Sequence, residues 1–158
     1  MDVTAMKKHP ATIVLRHQRE NLKKCSLRGL EKRSEFHFLT YPCRELPNLA
    51  NYVLLAVEAP PLSAEDNSKG LFVLDATWRY AEKMVRFVET QVDIPRRSIP
   101  QGFTTAYPRR QDDCPDPSAG LASIEAIYIA YRLLGRPLEG LLDGYYWREQ
   151  FLKQNQLL

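Results

Sequence analysis

Asp75, Thr77 and Trp78 fall within the stretch Leu71-Phe72-Val73-Leu74-Asp75-Ala76-Thr77-Trp78. A carboxylate, a hydroxyl and an indole so close together could take up a proton, bind a ligand's polar groups and offer one flat apolar surface. The four apolar residues before Asp75 lack alternation, which predicts a short strand buried on both faces. From Trp78 onward, Trp78, Ala81, Val85, Val88 and Val92 recur at intervals of three and four, as the buried stripe of an amphipathic helix does. Asp75 to Trp78 is therefore a strand-to-helix junction, and α/β sheets bind ligands outside the carboxyl ends of their strands. The same residues would also suit plainer work, with Asp75 or Thr77 capping the helix and Trp78 filling its core face.

Elements that could complete a site lie on both sides. Ala11 to Leu15, rich in β-branched residues, predicts a first strand. Arg16, His17 and Arg19 follow it as potential cations just past a strand end. Leu22 to Leu30 predicts a helix ending near Gly29. Glu35 to Tyr41 predicts a second strand closed by Pro42, and Asn51 to Val57 a third closed by Pro60-Pro61. The polar run from Ser63 to Gly70 predicts an exposed loop. Beyond Pro95, residues 96–110 predict irregular structure with one short strand around Phe103 to Tyr107, and residues 111–120 a loop. Ser123 is a candidate N-cap for a helix carrying Leu121, Ile124, Ile127, Tyr128, Tyr131 and Leu134 on its apolar side. Pro137 suits the first turn of a last helix reaching Leu152, weakened at its start by Gly140 and Gly144. Strands alternating with helices predict the α/β class with a mainly parallel sheet. One domain is expected over residues 11–158, after a tail of residues 1–10.

Composition narrows the function classes. The net charge of +3 permits an RNA partner but is not that of a dedicated nucleic-acid packer. Cys25, Cys43 and Cys114 form no CxxC pair, and His9, His17 and His37 are scattered, so no metal site is expected. Gly-x-Gly-x-x-Gly and the Walker pattern are both absent, which argues against a phosphate cradle made of glycine. The N-terminal residues lack the apolar core of a signal peptide, and no run reaches membrane-spanning length. The expectation is a cytoplasmic protein with no membrane association. Nothing implies an obligate protein partner.

Asp75-Ala76-Thr77-Trp78, with the buried strand before it, resembles the signature of the DTW-domain family of S-adenosylmethionine-dependent aminocarboxypropyltransferases, which act on uridines of transfer RNA. Arg16-His17-Gln18-Arg19-Glu20 with Lys24-Cys25-Ser26-Leu27 is similar to that family's early His-Pro-Arg-Glu segment, with Gln18 where proline is usual. Phe38-Leu39-Thr40-Tyr41-Pro42 resembles its second strand, and Leu121-Ala122-Ser123-Ile124-Glu125-Ala126 its Leu-Ser-Thr-x-Glu-Ala helix start. Tyr146-Trp147-Arg148-Glu149-Gln150-Phe151 is similar to its aromatic C-terminal helix. The chain lacks the N-terminal cysteine cluster of many members, and its compactness is similar to that of the related ribosomal-RNA aminocarboxypropyltransferases. The resemblance implies a SPOUT-like α/β fold with a C-terminal trefoil knot.

The resemblance also implies S-adenosylmethionine as co-substrate, no metal, and RNA as partner, with transfer RNA preferred over ribosomal RNA. Asp75 would be the catalytic residue, as general base or as electrostatic partner of the donor's cationic groups. Thr77, Trp78, Leu121, Ala122, Ser123 and Glu125 would bind the donor. Arg16, His17, Arg19, Arg96, Arg97, Arg109 and Arg110 could track an RNA backbone, the last two pairs bracketing a segment beside the expected site. Two other classes are open: a SPOUT-type RNA methyltransferase, and a non-catalytic RNA-binding protein with this fold.

Overall fold

A computed structural model describes residues 9–19, 26–108 and 120–158; of Trp78 only the backbone is described. Five parallel strands form one sheet: β1 (Thr12–His17), β2 (Phe36–Tyr41), β3 (Tyr52–Leu55), β4 (Gly70–Asp75) and β5 (Arg96–Arg97). Their order across the sheet is β2-β1-β4-β3-β5. Helix α1 spans Trp78–Gln91, α2 Ser123–Leu133 and α3 Arg148–Gln154.

The continuous apolar run of β4 has the cause expected of it. Side chains alternate across a strand. Leu71 and Val73 join Val14, Val53 and α2's Ile124, Ile127 and Tyr131 in one core cluster. Phe72 joins Ile13, Leu15, Leu54 and α1's Met84 and Val88 in another. Helices thus cover both faces of the central strands. Gly70 opens β4 because the Tyr52 ring lies where a side chain would be, and a Cβ there would overlap it. The Tyr52 hydroxyl donates to the Ala11 carbonyl at 2.7 Å, which ties β3 to the entry of β1. At the same end, Thr12 and Tyr131 share a hydrogen bond of 2.7 Å between their hydroxyls. Burial pushes the Tyr131 phenol up to about 12, so it stays neutral there.

Three sequence expectations are corrected. No strand forms at 103–107; the fifth strand is Arg96–Arg97, which pairs with Leu54 and Leu55 at the sheet edge. The last helix begins at Arg148, not near Pro137, because residues 139–144 form turns. Gly140 adopts a left-handed φ of 77°, and Gly144 packs so closely that a Cβ would lie 2.6 Å from the Arg28 carbonyl oxygen. Ser123 is not the cap of α2: Ala122 holds that position, and the Glu125 carboxylate accepts its backbone N–H at 2.8 Å. Most of the helix expected over Leu22–Leu30 lies outside the described residues; Ser26–Gly29 form a turn leading into a 3₁₀ turn at Leu30–Lys32. The C-terminal trefoil knot that the resemblance implies is not described, because residues 109–119 also lie outside the described residues.

Candidate active site

The strand order reverses direction between β1 and β4. The chain leaves β1 towards β2 on one side and leaves β4 through α1 towards β5 on the other. Such a switch point opens a crevice at the carboxyl ends of the two strands. Arg16 of β1 and Asp75 of β4 are register partners there. Both point to the face covered by α2, since each lies an even number of residues from the strand positions that pack on that helix.

Asp75 is 4% exposed. Arg16 Nε donates to its Oδ2 at 3.1 Å, and Ser123 Oγ donates to its Oδ1 at 3.1 Å. The carboxylate is thus turned towards β1 and the start of α2. Ser123 is available for this because capping has passed to Glu125 and Ala122. Thr77 occupies the N-cap position of α1 without a side-chain capping bond, and it is exposed. The amino ends of α1 and α2 meet at this end of β4, and helix amino ends carry unpaired backbone N–H groups.

Arg16 is held on three sides. Besides Asp75, its Nη1 donates to Glu31 Oε2 at 3.1 Å, and its guanidinium lies 4.5 Å from the centre of the Phe38 ring. Glu31 Oε1 also accepts the Gly29 backbone N–H at 2.8 Å. Burial raises the Glu31 carboxyl, but hydrogen bonds from backbone amides, Gly29 among them, and from Arg16 outweigh it, so the net shift is downward. Glu31 was not singled out in the sequence. Only its place on the Leu30–Lys32 turn brings it to Arg16.

Glu125 is fully buried, and four donors fill its carboxylate. Oε1 accepts from Thr105 Oγ1 at 2.6 Å and from the Ala122 N–H. Oε2 accepts from the Ala106 N–H and the Tyr145 hydroxyl, each at 2.8 Å. This one side chain binds the start of α2, the 105–107 segment and the approach to α3. Ala122 beside it is buried and Leu121 half-buried, and Ser26 Oγ accepts the Ile124 N–H at 3.3 Å.

The candidate RNA-contacting cations divide. Arg16 and His17 are buried, 9% and 7% exposed, inside the end of β1 rather than on a surface that meets phosphates. His17 lies on the other face of the sheet. Its ring stacks on Tyr80 with centroids 4.0 Å apart, and its Nδ1 accepts the Arg19 backbone N–H at 3.1 Å. Arg19 is exposed. Arg96 and Arg97 are half-buried on edge strand β5, two strands from β4, and pair with Glu89 and Asp66. Arg109 and Arg110 lie outside the described residues.

A cleft of about 510 Å³, lined by Val88, Val92, Ile94 and Arg96 among others, lies at the carboxyl end of α1, the far end of that helix from Asp75. Among the described residues no group of three or more His, Cys, Asp or Glu is placed to hold a metal ion. No helix among them is long and apolar enough to cross a membrane.

No family model matches the chain, and no curated protein does. A solved structure does: the SAM-dependent rRNA:acp-transferase Tsr3 from Vulcanisaeta distributa, at 21% sequence identity. The match covers 93% of this chain and 79% of that one, with a TM-score of 0.68. At that identity the likeness speaks for architecture alone, and the chain shares the α/β fold of that protein.

Proposed function

We propose that this chain transfers the 3-amino-3-carboxypropyl group of S-adenosylmethionine to N3 of a uridine in transfer RNA, releasing methylthioadenosine. The observation that carries the reading is the convergence of Asp75, Arg16 and Ser123 at the switch point of the sheet. In the reaction, the bond from sulfur to the propyl carbon breaks and its electron pair stays on sulfur. A bond from N3 to that carbon forms, and the N3 proton is lost. The sulfonium is already a good leaving group, so the protein's task is to align the reactants, hold the cation and help the proton leave.

Asp75, oriented from two sides, serves as partner of the donor's cationic end or as acceptor of the proton. Thr77 and Trp78 on one side, and Leu121, Ala122 and Ser123 on the other, line the donor pocket. Glu125 shapes that pocket from behind. RNA is met by Arg19, Arg96, Arg97, Arg109 and Arg110, in the cytoplasm. A second reading, transfer to a ribosomal-RNA uridine or pseudouridine, is favoured by the neighbour's description as an rRNA:acp-transferase.

The test uses donor labelled in either the carboxyl or the methyl group, with separated transfer and ribosomal RNA. Carboxyl label in transfer RNA, with methylthioadenosine released, supports the first reading, and the same label in ribosomal RNA the second. Label arriving only from the methyl group makes the protein a methyltransferase. RNA binding without any transfer makes it a non-catalytic binder.

A further inference from the structure

Glu31 has no part in the chemistry described so far, yet it is fixed as closely as the site itself. It lies on a turn that the Gly29 N–H and Arg16 both grip. Arg16 then passes from Glu31 to Asp75, with Phe38 beneath the guanidinium. This arrangement matters for a cationic ligand. A guanidinium beside Asp75 fixes the carboxylate but also repels any second cation brought to it. A carboxylate on the outer side of the same guanidinium offsets that repulsion.

We propose that Glu31 is a specificity-determining positioning residue, which counterbalances Arg16 so that Asp75 accepts a sulfonium in preference to a neutral thioether. The inference rests on the donor reading above and deepens it. S-adenosylmethionine carries a sulfonium. S-adenosylhomocysteine differs from it by one methyl group and that charge. Methylthioadenosine has neither the charge nor the amino-acid end. Glu31 therefore helps the site retain the donor and release the spent by-product. It acts through Arg16 and not by touching the ligand.

The experiment measures calorimetric dissociation constants of the three nucleosides for the wild type, Glu31→Gln and Arg16→Gln, without RNA. The wild type should prefer S-adenosylmethionine to S-adenosylhomocysteine. Glu31→Gln should cut that preference roughly five-fold, the size expected for removing one unit charge at short range in a partly screened site. Methylthioadenosine affinity should be unchanged. Arg16→Gln should shift the preference in the opposite direction, and this second sign keeps the test decisive if Glu31→Gln does not fold. Equal weakening of all three ligands by Glu31→Gln, or a preference that neither variant moves, overturns the inference and leaves the donor reading standing. A wild type that binds none of the three overturns both.

Discussion

Ser123 donates to Asp75 from the first turn of α2 while Glu125 makes the cap, so the two duties can be separated by substitution. Ser123→Ala removes one bond that orients the carboxylate and leaves the helix start intact. Turnover is expected to fall about ten-fold, with stability changed by less than about 1 kcal/mol. Single-turnover transfer of labelled donor, beside a urea titration, checks both, and a marked loss of stability with unchanged turnover would reverse the assignment. Asp75→Asn should cost turnover far more than donor affinity, by about a hundred-fold or more. Full activity in that variant would remove Asp75 from the reaction. His17 carries a pH effect. Burial lowers the His17 pKa below its ordinary value of 6.5, and the positive charges of Arg19 and Lys83 add to this. The unfolded chain then binds the proton more readily than the folded one. The contribution of neutral His17 is fully present above 6.5 and is lost as pH falls through the lowered folded value. Urea midpoints taken from about pH 8 to about pH 5 should decline, and His17→Phe should flatten the decline. An equally steep decline in that variant would assign the effect to other groups.

At the scale of elements, the 105–107 segment and the start of α2 depend on one carboxylate. Glu125→Gln turns one acceptor oxygen into a donor facing donors, in a site closed to water. It should cost about 2–4 kcal/mol by urea denaturation. A variant as stable as the wild type would mean the segment has other anchors. The legibility of the elements follows the same physics. β4 and α1 could be read because each shows an apolar pattern within a single stretch, though the packed face of α1 is Met84 and Val88 with Tyr80, Phe87 and Val92, not the expected Ala81 and Val85. β5 could not, because Arg96 and Arg97 are an edge strand whose pairing with Leu54 and Leu55 leaves no periodic trace. The turns at 139–144 exceeded what Gly140 and Gly144 alone could announce, since the close approach of Gly144 to Arg28 is a tertiary contact. In the site, Asp75 and Ser123 were visible as residue types at element ends. The Arg16–Glu31 pair was not, because it joins a strand end to a turn of no fixed period.

For the whole molecule, a modest net charge of +3 must be concentrated locally if RNA is to be held. Affinity for RNA should fall steeply with salt. Arg96→Gln combined with Arg97→Gln should reduce the slope of log affinity against log salt by about one to two. An unchanged slope would place the phosphate contacts elsewhere. The sheet order has another consequence, one of timing. The bond between Arg16 and Asp75 joins residues 59 apart in sequence, and that between Asp75 and Ser123 residues 48 apart. Central strands so far apart pair slowly, since a long loop must close before any contact rewards it. On the ribosome, Asp75 emerges with Arg16 already made but without Ser123. A nascent chain therefore cannot complete the site until α2 has been synthesised, and competence for donor binding would mark the end of folding.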